Sequence, residues 1–353
     1  MICGRISSGS RGEPPWAVAS GVVQTSLTTM FILSFHGGTG TNDLNNLHAY
    51  NDDGSPANPD KLLAHGGGGP DLNELRAFAF RPEGLYVVNG NKDASQLLLY
   101  TPGTNGQFSF SKVIASKQSV NGILHPFDIA CDTCGNVFVS SQDTNVVTAL
   151  APNGVALPPA SYLTSQYPAA TFLAGTLVAS SLGNLPLNPG NPPPPNVPPP
   201  QGLAVTLDKG KVAHSVRGVV WTGGYLLVAD EPDNAVKVYD ATGQLQGQIA
   251  GNGLSAPVHL LLQGETLYVS SSNDTIYTSP VPEGGSPGTT VAPTPWLTDH
   301  LHSPAGMCFD SAGNFYVALR KDKEVRYFDT NGKYLGHFIS GLSDEPEFIA
   351  YQA

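Results

Sequence analysis

His302-Ser303-Pro304-Ala305-Gly306-Met307-Cys308-Phe309, followed by Asp310-Ser311-Ala312-Gly313-Asn314 and Phe315-Tyr316-Val317-Ala318, is the stretch whose reading decides the fold. An apolar run opens behind a proline, a Gly-Asn pair interrupts it with hairpin chemistry, and an aromatic and β-branched run follows, so two short antiparallel strands are expected. The continuation supplies two more. Val325-Arg326-Tyr327-Phe328-Asp329 reads as a third strand, Asn331-Gly332 as a turn, and Tyr334-Leu335-Gly336-His337-Phe338-Ile339 as a fourth.

The second-strand run recurs as Phe31-Ile32-Leu33, Leu85-Tyr86-Val87, Val137-Phe138-Val139, Leu226-Leu227-Val228, Leu267-Tyr268-Val269 and Phe315-Tyr316-Val317. Residues 33, 87, 139, 228, 269 and 317 close these runs, giving steps of 54, 52, 89, 41 and 48. One period governs all but the long step. A period of about 40–50 residues with four short strands per repeat predicts a β-propeller, here all-β and six-bladed, with four antiparallel strands in each blade. Composition agrees: 40 Gly and 30 Pro with only 13% charged residues describe a chain rich in turns and poor in surface helices.

Closure is legible as well. Pro346-Glu347-Phe348-Ile349-Ala350-Tyr351 looks like a first strand with no second strand after it, while the Phe31 run is a second strand with no first strand before it. The C-terminal strand is therefore expected to pair with the N-terminal blade and close the ring, leaving no open edge at the seam.

Residues 30–353 are thus expected to form a single propeller, and residues 1–29 a flexible N-terminal extension. The long step holds the fourth strand of blade three, placed at Ala170 to Ser180, and a Pro-rich insert at about 181–208. Nine of the fifteen residues from Pro186 to Pro200 are proline, which favours an exposed polyproline segment serving as a spacer or as a recognition tail.

A formal charge of -11, from 17 basic and 28 acidic residues, argues against a nucleic-acid backbone or an anionic membrane as partner. The longest apolar run, at Met30 to Phe35, is far short of a membrane span. No secretory h-region is visible near the N-terminus, whereas low Lys content and the sequon Asn273-Asp274-Thr275 point outward; the compartment stays open. Cys131-Asp132-Thr133-Cys134 falls on a hairpin turn with no second pair to complete a zinc site, so a turn-stapling disulfide or two packed thiols is expected. Cys308 is too far around the ring to reach Cys131.

Chemistry in a propeller gathers where the loops entering the first strands crowd one mouth of the central channel. Aligned first strands put Arg76-Ala77, Phe127-Asp128, Arg217-Gly218, Val258-His259, Ala305-Gly306 and Glu347-Phe348 at matching depth. Arg76, Asp128, Arg217, His259 and Glu347 should converge there, with His125, His214 and His302 just outside. One reading is a binding site for a small molecule, glycan or protein. A second is a metal-assisted hydrolase or lyase acting on a lactone, ester or sugar-like substrate. There Asp128, His259 and Glu347 would hold one divalent cation (Ca, Mg or Zn), and Arg76 or Arg217 would steady negative charge. A third is a structural subunit of an extracellular assembly that associates with itself. Against all three stands a plain alternative, in which Arg–carboxylate pairs between blades hold the ring together. Asp230, at the end of a second strand, reads as a turn cap.

The blade signature, Pro-Ala-Gly-Met at 304–307, Gly-Asn-Phe-Tyr-Val at 313–317 and Tyr-Phe-Asp-Thr-Asn-Gly at 327–332, resembles the NHL-repeat family of propellers from residue 30 onward. That resemblance implies the fold and leaves the chemistry open, because such repeats occur in lyases, lactonase-like hydrolases and scaffolds. Amidating-lyase propellers carry a metal-binding His directly after the first-strand Pro. Here Phe127, Val258, Ala305 and Glu347 follow Pro126, Pro257, Pro304 and Pro346, and His259 comes one residue late. Gluconolactonase-like propellers use a Glu, an Asn and an Asp around one cation, of which Glu347 and Asp128 match two. The His and Glu of virginiamycin lyase-like propellers map onto His259 or His302 with Glu347.

Overall fold

The computed structural model describes residues 29–37, 44–64, 69–91, 93–120, 123–157, 171–174, 207–208, 211–212, 216–281 and 288–353. The N-terminal extension, the body of the Pro-rich insert and His214 lie outside the described residues. Every regular element among the described residues is a strand.

Blade one contributes β1 (Met30–Phe35), β2 (His48–Tyr50) and β3 (Pro56–Lys61). Blade two is β4 (Leu75–Arg81), β5 (Gly84–Asn89), β6 (Gln96–Pro102) and β7 (Phe108–Ser116). Blade three is β8 (Pro126–Cys131), β9 (Val137–Ser141), β10 (Val146–Leu150) and β11 (Thr171–Ala174), the last inside the span expected for it. A small pair, β12 (Leu207–Asp208) and β13 (Lys211–Val212), precedes blade four. That blade runs β14 (Val216–Thr222), β15 (Tyr225–Asp230), β16 (Ala235–Asp240) and β17 (Leu245–Ala250). Blade five is β18 (Pro257–Gln263), β19 (Thr266–Ser271), β20 (Thr275–Pro280) and β22 (Thr294–Leu297). Its outer connection lends β21 (Thr289–Val291) to β17 as a parallel fifth strand, which the repeat pattern did not announce. Blade six is β23 (Pro304–Phe309), β24 (Phe315–Leu319), β25 (Glu324–Phe328) and β26 (Tyr334–Ile339).

The ring closes as the sequence requires. β27 (Pro346–Gln352) pairs antiparallel with β1, Ile32 opposite Ala350 and Leu33 opposite Ile349, and so completes blade one from the far end of the chain. The second strands β1, β5, β9 and β24 are buried along their whole length, because both faces of each blade press on a neighbour. Apolar clusters fill the gaps between blades, for example Phe138, Phe172, Leu226 and Val228 between blades three and four, with Trp221 stacked on Phe138 at 5.0 Å. Burial of this kind contributes about 25 cal/mol per Å² of apolar surface.

The hairpins have a local cause. Asp310 accepts the backbone N–H groups of Ala312 and Asn314 on Oδ1, and the Asn314 amide and Tyr316 hydroxyl on Oδ2. Gly313 sits at φ +84°, a conformation in which a side chain is costly. Asp132 plays the same part at the Cys131 turn, accepting from Cys134 and Asn136. Cys131 is a free thiol, so the turn is held by the Asp carboxylate and not by a Cys131–Cys134 disulfide. Cys308 is also free and buried.

Candidate functional site

Each first strand breaks register at the same depth, over two residues in blades two to six and over one in β27. The ladder skips between Leu75 and Phe78, Pro126 and Ile129, Val216 and Val219, Pro257 and Leu260, and Pro304 and Met307, and β27 shifts between Pro346 and Phe348. A bulge re-aims the residues it leaves out of the ladder. Those residues are the aligned pairs from Arg76-Ala77 to Ala305-Gly306 and, in β27, Glu347 alone, since Phe348 stays in the ladder opposite Ser34.

Glu347 lies at the centre. Its Oε2 accepts from Arg76 Nη1 at 3.0 Å and stands 3.3 Å from Arg320 Nε, while its Oε1 stands 3.9 Å from His259 Nε2. Burial works to raise this carboxyl, but the Arg76 and Arg320 guanidiniums outweigh it and hold Glu347 well below the ordinary carboxylate range. Arg76 also reaches Glu74 at 3.4 Å and His125 Nε2 at 3.3 Å. His125 is wedged between Glu74 at 3.4 Å and Asp143 at 3.2 Å. Burial opposes its charge, and the hydrogen bonds to Asp143 and Glu74 win, raising the imidazole above its usual value. In turn His125 holds Glu74 below its usual value against the cost of burial.

Arg217 joins from blade four. It donates to Glu231 at 2.8 Å and to Gln142 at 3.2 Å, with its guanidinium 5.2 Å from the Phe127 ring centre. His259 packs between Phe127 and Phe348, at centroid distances of 4.9 and 5.5 Å, and neither ring nitrogen has a hydrogen-bond partner. Glu347 Oε1, Arg76 Nε and Gln142 Nε2 are likewise buried and unpartnered.

Two further candidates are engaged by other partners. Asp128 is buried beside these groups, yet its carboxylate is spent on the joint between blades three and four, accepting Ile129 N–H at 2.7 Å and Val219 N–H at 2.9 Å. Burial pushes this carboxyl up, with His259 and the two N–H donors pulling the other way. His302 is largely exposed and pairs with Asp322 at 2.8 Å. Asp230, read as a turn cap, is buried and meets Lys237 Nζ at 2.8 Å. Among the described residues, no group of three or more His, Cys, Asp and Glu is arranged to hold a metal ion.

Sequence reasoning missed Arg320, Glu74, Gln142, Asp143, Glu231 and Glu345. Attention to first strands alone hid them, although a signal existed: three residues past each second-strand run fall His36, Gly90, Gln142, Glu231, Ser272 and Arg320. A further regularity pairs the blades. Small Ala77, Gly218 and Gly306 occupy blades two, four and six, where blades three, five and one carry Asp128, His259 and Phe348. The second strands of the latter three blades supply Ser140, Ser270 and Ser34. Ser34 donates to Arg76 O at 2.6 Å and Ser140 to Arg217 O at 2.7 Å, tying one blade to the next beneath the mouth.

The architecture is that of a six-bladed β-propeller in which Arg76, His259, Arg320 and Glu347 meet from blades two, five, six and one. No family model and no curated protein matches the chain. Among solved structures, a chain from the crystal structure of a nidogen/laminin complex superimposes with a TM-score of 0.57 at 12% identity, covering 92% of this chain and 99% of that one. A protein of unknown function from Bacteroides caccae gives 0.49 at 10% identity, covering 92% and 98%. A computationally designed protein gives 0.48 at 11% identity, covering 91% and 87%. At such identity the first likeness speaks for the fold alone. No helix among the described residues is long and apolar enough to cross a membrane.

Proposed function

We propose that this propeller is a binding module of NHL-repeat type, and that it takes a small ligand or a protein segment at the channel mouth. One observation carries the reading: Glu74, Asp143, Glu231 and Glu345, each part-exposed, stand over Arg76, His125, Arg217 and Arg320 as a ring of paired charges. Part-exposed carboxylates backed by buried or half-buried planar cations are the kind of polar anchors that a concave site uses to orient a ligand. The nidogen/laminin complex supplies a precedent in which a chain of this fold belongs to a protein assembly. A thermal-shift screen of peptides and metabolites tests it. Hits should lose their effect when Glu74, Glu231 and Glu345 are changed together to Ala; hits indifferent to that change would refute the mouth as the site.

Metal-assisted catalysis is the second reading, favoured by the unpartnered His259 nitrogens and Glu347 Oε1. The donor set does not fit a resident divalent cation. Asp128 is committed to two backbone N–H groups, and two guanidiniums flank Glu347. Elemental analysis of the purified protein, incubated with calcium, magnesium or zinc, decides the matter. Stoichiometric metal lost in His259→Ala and Glu347→Ala would restore the catalytic reading.

A further inference from the structure

The unpartnered groups at the mouth make a mixed set. Arg76 Nε and Gln142 Nε2 are donors, Glu347 Oε1 is an acceptor, and the two His259 nitrogens can serve either way according to tautomer. All are buried, and leaving such groups unpaired costs free energy, so the site is complete only when something polar satisfies them. Geometry limits that occupant. His259 Nε2 and Glu347 Oε1 are 3.9 Å apart, too far for a direct bond. An oxygen at about 2.8 Å from each would sit at the corner of a roughly right-angled triangle. That oxygen must donate to the carboxylate and be able to accept from the imidazole, which describes a hydroxyl.

Charge excludes the other classes. An anion entering the mouth meets Glu74, Glu231, Glu345 and Glu347 beside the guanidiniums it could seek, and Asp143 beside His125. A cation approaching Glu347 meets Arg76 at 3.0 Å and Arg320 at 3.3 Å from the same oxygen. A neutral ligand pays neither penalty. The rim then offers Arg217 beside Glu231 and Arg320 beside Glu345, each a donor face next to an acceptor, which matches neighbouring hydroxyl groups.

We propose that the ligand of this mouth is a small neutral polyol, with one hydroxyl bridging His259 and Glu347 and others on the Arg217–Glu231 and Arg320–Glu345 pairs; this rests on the mouth being the binding site.

Saturation-transfer NMR on the full chain tests the proposal. The probes are myo-inositol, glucose and galactose as neutral polyols, citrate and succinate as anions, and lysine and spermidine as cations. The variant His259→Phe keeps a ring between Phe127 and Phe348 and removes both nitrogens. Glu231→Ala, at the part-exposed rim, gives an independent variant with little risk to folding. Saturable polyol binding, weakened at least tenfold in His259→Phe and about fivefold in Glu231→Ala, is expected. Binding of anions or cations in place of polyols, with the same sensitivity to both variants, overturns the ligand class and leaves the mouth reading standing. Polyol binding unchanged by either variant overturns both. No polyol binding, with only ordered water between His259 and Glu347, overturns the polyol proposal, and the thermal-shift screen then judges the mouth alone.

Discussion

Removing Glu347 alone should damage the fold more than removing it together with its partner. The Arg76 side chain is 4% exposed and that of Glu347 1%, their atoms meet at 3.0 Å, and Arg76 would keep Glu74 at 3.4 Å as its one remaining carboxylate. Breaking a buried ion pair by deleting one member typically costs about 3–5 kcal/mol, because a desolvated charge is left behind, whereas replacing both by apolar groups is often neutral. Arg320 would lose less, since Glu345 holds it at 2.7 Å nearer the surface. The experiment is a double-mutant cycle of Glu347→Met, Arg76→Met and the pair, read by urea denaturation with two spectroscopic probes to check for a single transition. Each single variant is expected to lose about 3–5 kcal/mol, and the double variant less than either. Singles losing under about 1 kcal/mol, or a double variant losing the sum of the two, would refute the view that these charges are desolvated and mutually dependent.

Other tests address separate joints of the ring. His125 has its folded-state value raised, so its contribution is fully present below about pH 6.5 and is lost as pH rises through the raised value. Denaturant midpoints at pH 6 and pH 8.5 should therefore differ more in the native protein than in His125→Gln, and equal differences would count against the clasp. Glu347, held low, acts oppositely: its contribution is present above about pH 4.5 and falls away as pH drops, so denaturant midpoints at about pH 7 and about pH 3 should differ less in Glu347→Met than in the native protein. Gly306→Ala would place a Cβ 2.6 Å from Phe348 Cα and 2.7 Å from Ile349 N, both backbone of the closing strand, and should lower stability by at least about 1–3 kcal/mol in chemical denaturation. Asp128→Asn turns one acceptor into a donor facing a backbone N–H, with an expected loss of about 1–3 kcal/mol and no change in metal content. Deleting residues 346–353 strips β1 of its neighbour, and a thermal melt with an unchanged midpoint would contradict the closed ring.

The blade count, the seam and the inward-facing pairs were legible because they repeat: hairpin chemistry and apolar runs are local, and six copies reinforce one another. Asp128 shows where such reading stops. Its depth followed from alignment, but the backbone N–H of Val219 lies 91 residues away, and only a folded chain brings that donor to the carboxylate. Arg320 was hidden for a different reason: it directly follows the second strand β24, where a polar residue reads as part of the turn, as Asp230 did. β21 was illegible because a strand that borrows a neighbour's edge has no partner in its own repeat.

The seam also sets an order of events during synthesis. β1, buried on every residue in the finished ring, leaves the ribosome first among the described strands, while β27, its partner, begins at residue 346. At about 5–20 residues per second, the apolar Met30–Phe35 run waits on the order of 15–60 s for the strand that covers it. Blades two to six can assemble in the meantime, each on the one before. The first blade begun is the last completed, and until then the nascent chain carries an uncovered apolar strand that a chaperone would recognise.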